Sequence, residues 1–146
     1  MIFRHKVHSI FTLLLLLTLF LVEGCGGPAK PPVLPGPAIP GLNLSGGYDC
    51  AQFGFMKIKH MGNEIRGTYE GIRQHNDKGS FLGKVEGDLI WIEWNQPGEN
   101  DSVILPKQGK GWLRILEGGR LLKGKWGYDL SRDNGGNWLA ERSEYY

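Results

Sequence analysis

The chain is poor in the residues that most often carry chemistry. Its 146 residues include two cysteines and four histidines. There is no H-E-x-x-H, no paired-cysteine ligand set and no G-x-S-x-G elbow, so a metal centre or a nucleophile triad lacks its parts. Charge of one sign is scarce too. The formal balance is +2, and without the first 24 residues, which hold Arg4, Lys6 and Glu23, 15 basic residues face 14 acidic ones. A balance of +1 argues against nucleic acid as a partner. No apolar run is long enough to span a bilayer permanently. The longest, Ile10 to Val22, covers thirteen residues interrupted only by Thr12 and Thr18, well short of the ~20 that a spanning helix needs.

What is abundant is glycine and tryptophan, 23 and five residues respectively. In so short a chain this points to many turns between aromatic strands. The thirteen-residue run follows a basic start of Arg4, His5, Lys6 and His8, the pattern of a signal peptide over residues 1–24. No A-x-A site for ordinary cleavage lies nearby. The run ends Leu21-Val22-Glu23-Gly24-Cys25, which resembles the lipobox of bacterial lipoproteins, with an aliphatic residue three before the cysteine and a small one just before it. Glu23 stands where that pattern normally has a small or apolar residue. The resemblance implies cleavage before Cys25, acylation of Cys25 and attachment to the membrane through that lipid. Gly26, rather than Asp, after the cysteine matches the sorting rule for outer-membrane lipoproteins, which implies an envelope protein in the outer membrane of an organism that has one.

If Cys25 is acylated, Cys50 is the one free thiol, and it reads as a small buried hydrophobe. If Cys25 is not acylated, a Cys25–Cys50 disulfide is the alternative in an oxidising compartment. From Pro28 to Pro40 six of thirteen residues are proline, so neither a helix nor a central strand can form there. Residues 25–45 therefore read as a lipidated cysteine and an extended tether. A spacer role is preferred to a docking site for a proline-binding partner, because no recognition core is repeated.

Residues 46–146 form the foldable domain. A glycine followed by an aliphatic residue three later and an aromatic seven later occurs three times, as Gly62-Ile65-Tyr69, Gly87-Ile90-Trp94 and Gly119-Leu122-Trp126. These spacings share one parity, which puts the side chains on one face of a strand. Glu64, Arg66 and Thr68, and Lys123 and Lys125, fall on the other face. Each glycine sits in a turn signal, and Met56 and Ile58, Phe81 and Gly83, Leu113 and Ile115 precede them with inward parity, so three consecutive hairpins are predicted. Further strands are expected at about 137–142 and 47–51. The fold class is all-β, an antiparallel up-and-down meander of about seven or eight strands closed as a small barrel, which removes the exposed edges. Helix has no good candidate. The size, the Gly67-Thr68-Tyr69 step and the tips resemble small lipocalin- or avidin-like barrels.

Tyr69, Trp94 and Trp126 are equivalent inward positions and are the candidate ligand-binding residues. They either line a cavity for an apolar or saccharide ligand or fill the core of a barrel this narrow. Trp91 and Trp112 carry outward parity and suit a partner surface. Ser131, Asp133, Gly135 and Trp138 fit S-x-D-x-G-x-x-W and resemble the Asp-box, a structural hairpin tip of sialidase-type propellers. The resemblance implies that the Asp accepts loop amide hydrogen bonds and the Trp packs beneath; the chain is too short for a propeller, so no sialidase activity follows. Asp129, Ser131 and Asp133 alternate like a calcium loop, but Asn134 and Ala140 break that pattern.

No catalytic residue, cofactor or metal ligand is expected. The resulting expectation is a lipid-anchored, non-enzymatic envelope protein whose barrel binds a small apolar or saccharide ligand or an envelope protein. The alternative is a structural or assembly lipoprotein with a solid core that acts through its outer surface.

Overall fold

The structure, a computed structural model, describes residues 30–71, 78–98 and 107–144. The expected signal segment, the lipid-bearing Cys25 and His75 lie outside the described residues. Eight antiparallel strands follow one another: β1 Gly46–Cys50, β2 Gly54–Met61, β3 Glu64–Glu70, β4 Lys78–Glu86, β5 Leu89–Gln96, β6 Lys107–Leu116, β7 Leu121–Tyr128 and β8 Gly136–Arg142. Each pairs with its neighbours in sequence, and β8 returns to β1, so the sheet closes as an up-and-down barrel. Closure is short, with Tyr48, Asp49 and Cys50 opposite Arg142, Glu141 and Ala140. Among the described residues no helix is long and apolar enough to cross a membrane.

The alternation read from the sequence sets the faces. Burial along β3 runs exposed at Glu64, Arg66, Thr68 and Glu70 and buried at Ile65 and Tyr69, as a strand with one dry face requires. The three tips have the anticipated left-handed glycines, Gly62 at φ 64°, Gly87 at 60° and Gly119 at 97°. The third tip is wider than a two-residue turn. A 3-10 turn at Glu117–Gly119 carries Glu117 itself to φ 51°, and the Arg120 guanidinium holds that glutamate at 2.7 Å. It is the one helical turn among the described elements.

The compact unit reaches back to Leu34, into the stretch that reads as tether from its prolines. Proline forbids helix and ladder but not packing. Pro40-Gly41 makes a turn closed by Leu42 N–H donating to Ile39 O at 3.3 Å, with Gly41 at φ 68°, and this lays Ile39, Leu42 and Leu44 against the core. Two polar clamps fix the strap. At one end the Gly36 amide and the Arg114 guanidinium both donate to Asp88 Oδ1 at 2.6 Å, and Arg114 also donates to Leu34 O at 3.0 Å. At the other, Arg142 donates to the carbonyls of Asn43 and Ser45 and to the Tyr48 hydroxyl, at 2.7–2.9 Å. Tyr48 Oη in turn donates to Gly119 O at 2.8 Å. Burial raises the pKa of that phenol, and Arg142 opposes the shift.

Burial disfavours ionisation of Asp88, but the Gly36 amide and Arg114 outweigh it and hold the carboxyl below its usual range. A carboxyl depressed on folding contributes stability above its unfolded pKa of about 3.9 and loses it as pH falls through the lower folded value. Asp88→Asn is therefore expected to cost about 1.5–3 kcal/mol at neutral pH, the range for hydrogen bonds to a charged group. The gap between variant and parent should close as urea melts are repeated below about pH 4. A gap that persists in acid would mean that Asp88 acts through packing.

Candidate functional site

Inward side chains from all eight strands join one hydrophobic cluster. Tyr69 and Trp94 are 2% and 5% exposed; Trp126 is half-buried against the cluster. Tyr69 and Trp126 meet at a ring absent from the repeat, Phe53, in the β1–β2 turn. Its centroid lies 5.3 Å from Tyr69, 5.2 Å from Trp126 and 4.8 Å from Trp138, and Trp94 packs edge-on to Trp126 at 5.7 Å. These are the separations at which tilted aromatic pairs attract. Trp94 Nε1 donates to Gly127 O at 3.1 Å, and Trp138 Nε1 to Met56 Sδ at 3.4 Å, so both buried indoles have a polar partner.

Glycines let these rings lie flat on the barrel wall. Gly67 stands opposite Phe81, Gly79 opposite Tyr69, and Gly109 opposite Trp94. A methyl group at any of the three would collide with the facing ring. Each aromatic occupies the space that its cross-strand neighbour leaves empty.

Cys50 is a free, buried thiol that donates to Gln52 Oε1 at 3.5 Å, and burial pushes its pKa up, which makes it a poor nucleophile. His60 accepts the Leu44 amide on Nδ1 at 3.3 Å, and its Nε2 has no partner among the described residues. Among the described residues no three His, Cys, Asp or Glu side chains gather where one cation would be held.

The Asp-box-like segment is the β7–β8 connection. Ser131 Oγ accepts the amides of Asp133 and Asn134 at 3.4 and 3.3 Å and donates to Asp133 Oδ1 at 3.4 Å, while Asn134 Oδ1 accepts the Tyr128 amide at 2.8 Å. Ser131 and Asn134 thus both take loop amides. Trp126 is the ring directly under Gly135, and Trp138 lies in the barrel interior, 1% exposed.

The grooves lie on the outer face. One of about 690 Å³ runs across β3 to β6, past Arg66, Leu82, Glu93, Trp94, Lys110 and Leu130. A second of about 430 Å³ adjoins it and shares Arg66, Leu82 and Glu93. Of Tyr69, Trp94 and Trp126, only Trp94 borders either groove. The register explains the lining, because Arg66, Leu82, Glu93 and Lys110 are direct neighbours on four adjacent strands. The next row holds Lys84, Trp91 and Trp112. Trp91 is fixed on both sides: Nε1 donates to Glu86 Oε2 at 2.9 Å, and the Arg132 guanidinium lies 4.9 Å above its ring. Lys84 pairs with Glu86 at 2.9 Å. Hydrogen bonds from Lys84 and then Trp91 hold the Glu86 carboxyl below its usual range.

Outward parity alone points to Trp91 and Trp112. Arg132 could not be placed that way, because its position depends on how the β7–β8 loop folds back across the sheet. Compared with protein-family models, with characterised proteins and with solved structures, the chain matches none.

Proposed function

We propose that this chain is a lipid-anchored cell-envelope protein without enzymatic activity, whose barrel has a solid core and acts through the outer face of β3–β6. The observation that carries this reading is the separation of its aromatics. Tyr69, Trp94, Trp126 and Trp138 pack with Phe53 inside, while Trp91 and Trp112 stand side by side outside, next to a groove of ligand-binding size. Leu82, 58% exposed on that face, adds apolar surface.

The anchor rests on the lipobox-like Val22-Glu23-Gly24-Cys25 segment, and Gly26 makes the outer membrane the proposed address where the organism has one. Cys25→Ser is expected to abolish incorporation of labelled palmitate and to move the protein from the membrane to the soluble fraction. Unchanged labelling would overturn the anchor. For the face, a photo-reactive benzoylphenylalanine is placed at position 82 or, as a control on the far side, at position 123 of the full-length protein in its own membrane. Adducts from 82 and none from 123 are expected. Equal yields from the two positions, or none from 82, would overturn the outer-face reading.

A further inference from the structure

The outer groove carries two chemistries that do not usually lie side by side on a plain solvated strand face. The first is an uncharged hydrogen-bonding ladder. Ser80 faces Asn95 and Asn95 faces Gln108 across β4 to β6, and all three line the larger groove and are exposed. With adjacent strands about 4.8 Å apart, the ladder is roughly 10 Å long. It presents a hydroxyl and amides that donate as well as accept, as the vicinal hydroxyls of a pyranose chain require.

The second is a pair of guanidinium groups left without an acid. In the neighbouring row Glu93 is taken by Lys110 at 3.1 Å, and Lys84 is taken by Glu86 at 2.9 Å. Arg66 makes no hydrogen bond or ion pair among the described residues, and it borders both grooves. Arg132 lies over the Trp91 ring at the edge of the smaller groove and makes no hydrogen bond or ion pair among the described residues. Of the remaining carboxylates, Glu64 borders only the smaller groove and Asp129 only the larger. The shared middle therefore sets Arg66, with no acid of its own, beside Leu82 and a Glu93 already paired with Lys110.

We infer that these adjoining grooves bind an acidic saccharide: the guanidinium groups of Arg66 and Arg132 hold its anionic groups, the Ser80–Gln108 ladder bonds its hydroxyls and Leu82 meets an apolar sugar face. A planar guanidinium forks onto a carboxylate or phosphate with two donors. Two such groups, on a chain of nearly balanced charge, suit a short acidic oligosaccharide with a few anionic groups better than a long polyanion. The inference rests on the outer-face reading and names the ligand of that face.

The test is calorimetric titration of the full-length protein in detergent micelles with trigalacturonic acid and, as the neutral comparator, maltotriose. Saturable binding of trigalacturonate is expected, at least about tenfold tighter than maltotriose, and weakening as salt screens the guanidinium groups. Arg66→Ala and Arg132→Ala are each expected to weaken it by about tenfold or more, the range for a charged hydrogen bond, while Ser80→Ala with Asn95→Ala weakens both sugars alike. Both arginines are exposed, so these variants should keep the parent melting curve, which separates lost binding from lost fold. No saturable binding of trigalacturonate, equal affinity for the neutral sugar, or full affinity in both arginine variants would overturn the assignment. If the sugars fail while position 82 still forms adducts in the membrane, the saccharide assignment falls and the outer-face reading stands. If both fail, both fall.

Discussion

Trp138→Ala is expected to lose about 3–5 kcal/mol of folding stability, the range for removing a large aromatic from a packed interior. Trp138 is 1% exposed. It packs between Phe53 at 4.8 Å and Phe81 at 6.1 Å, and its indole N–H donates to Met56 Sδ. Strands on opposite sides of the barrel thus meet at one ring. A small domain has roughly 5–15 kcal/mol to lose in total, so the variant should be close to unfolded at 37 °C. Urea unfolding should show a large fall in midpoint with little change in slope. Trp91→Ala removes an equally large ring from the outer face, where the loss should stay within about 1 kcal/mol. Similar losses at the two positions would mean that interior and exterior have been assigned wrongly.

Gly124→Ala is expected to do comparable damage by adding atoms rather than removing them. Gly124 faces inward on β7, opposite Trp138, and a methyl group there would run into the main-chain carbonyl of Trp112 on β6. A backbone carbonyl cannot swing aside as a side chain can, so β6 and β7 must separate there. The expected cost is roughly 3 kcal/mol or more, at the upper end for overpacked cores. Gly62→Ala is the control. It places an L-residue at φ 64° but meets no atom within 4 Å, so only backbone strain of about 1–2 kcal/mol applies. Thermal melts of the two variants should differ clearly. Equal melts would show that the close approach at Gly124 is relieved without consequence.

The strand plan is legible in the sequence because a period of two is local information. Ile65 and Tyr69, Ile90 and Trp94, and Leu122 and Trp126 announce an inner face without knowledge of their neighbours, and the glycines at 62, 87 and 119 announce the tips. What depends on register is not legible in the same way. The fit of Phe81 over Gly67, and of Trp94 over Gly109, pairs residues on different strands, and nothing in either strand alone names its partner. The groove has the same origin, since Arg66, Leu82, Glu93 and Lys110 become neighbours only once four strands are aligned. Phe53 escapes the repeat because it sits in a turn, yet it touches three of the interior rings. The strap is obscured for a different reason. Its prolines hide the fact that Ile39, Leu42 and Leu44 are spaced to reach a core, and its clamps, Asp88, Arg114 and Arg142, belong to strands and turns far along the chain. Arg132 had no signal at all, being one of several polar residues in a loop.

The central claim is that the barrel interior is closed to ligands and that the working surface is outside. It is tested most directly by fluorine NMR of the full-length protein carrying 5-fluorotryptophan at its five tryptophans, titrated with decanoic acid and then with trigalacturonic acid. The account expects the Trp126 and Trp138 signals to stay where they are throughout, and the Trp91 signal to move saturably with the acidic sugar. Saturable displacement of the Trp126 and Trp138 signals by the fatty acid, with Trp91 unmoved by either compound, would contradict it and return the site to the inside of the barrel.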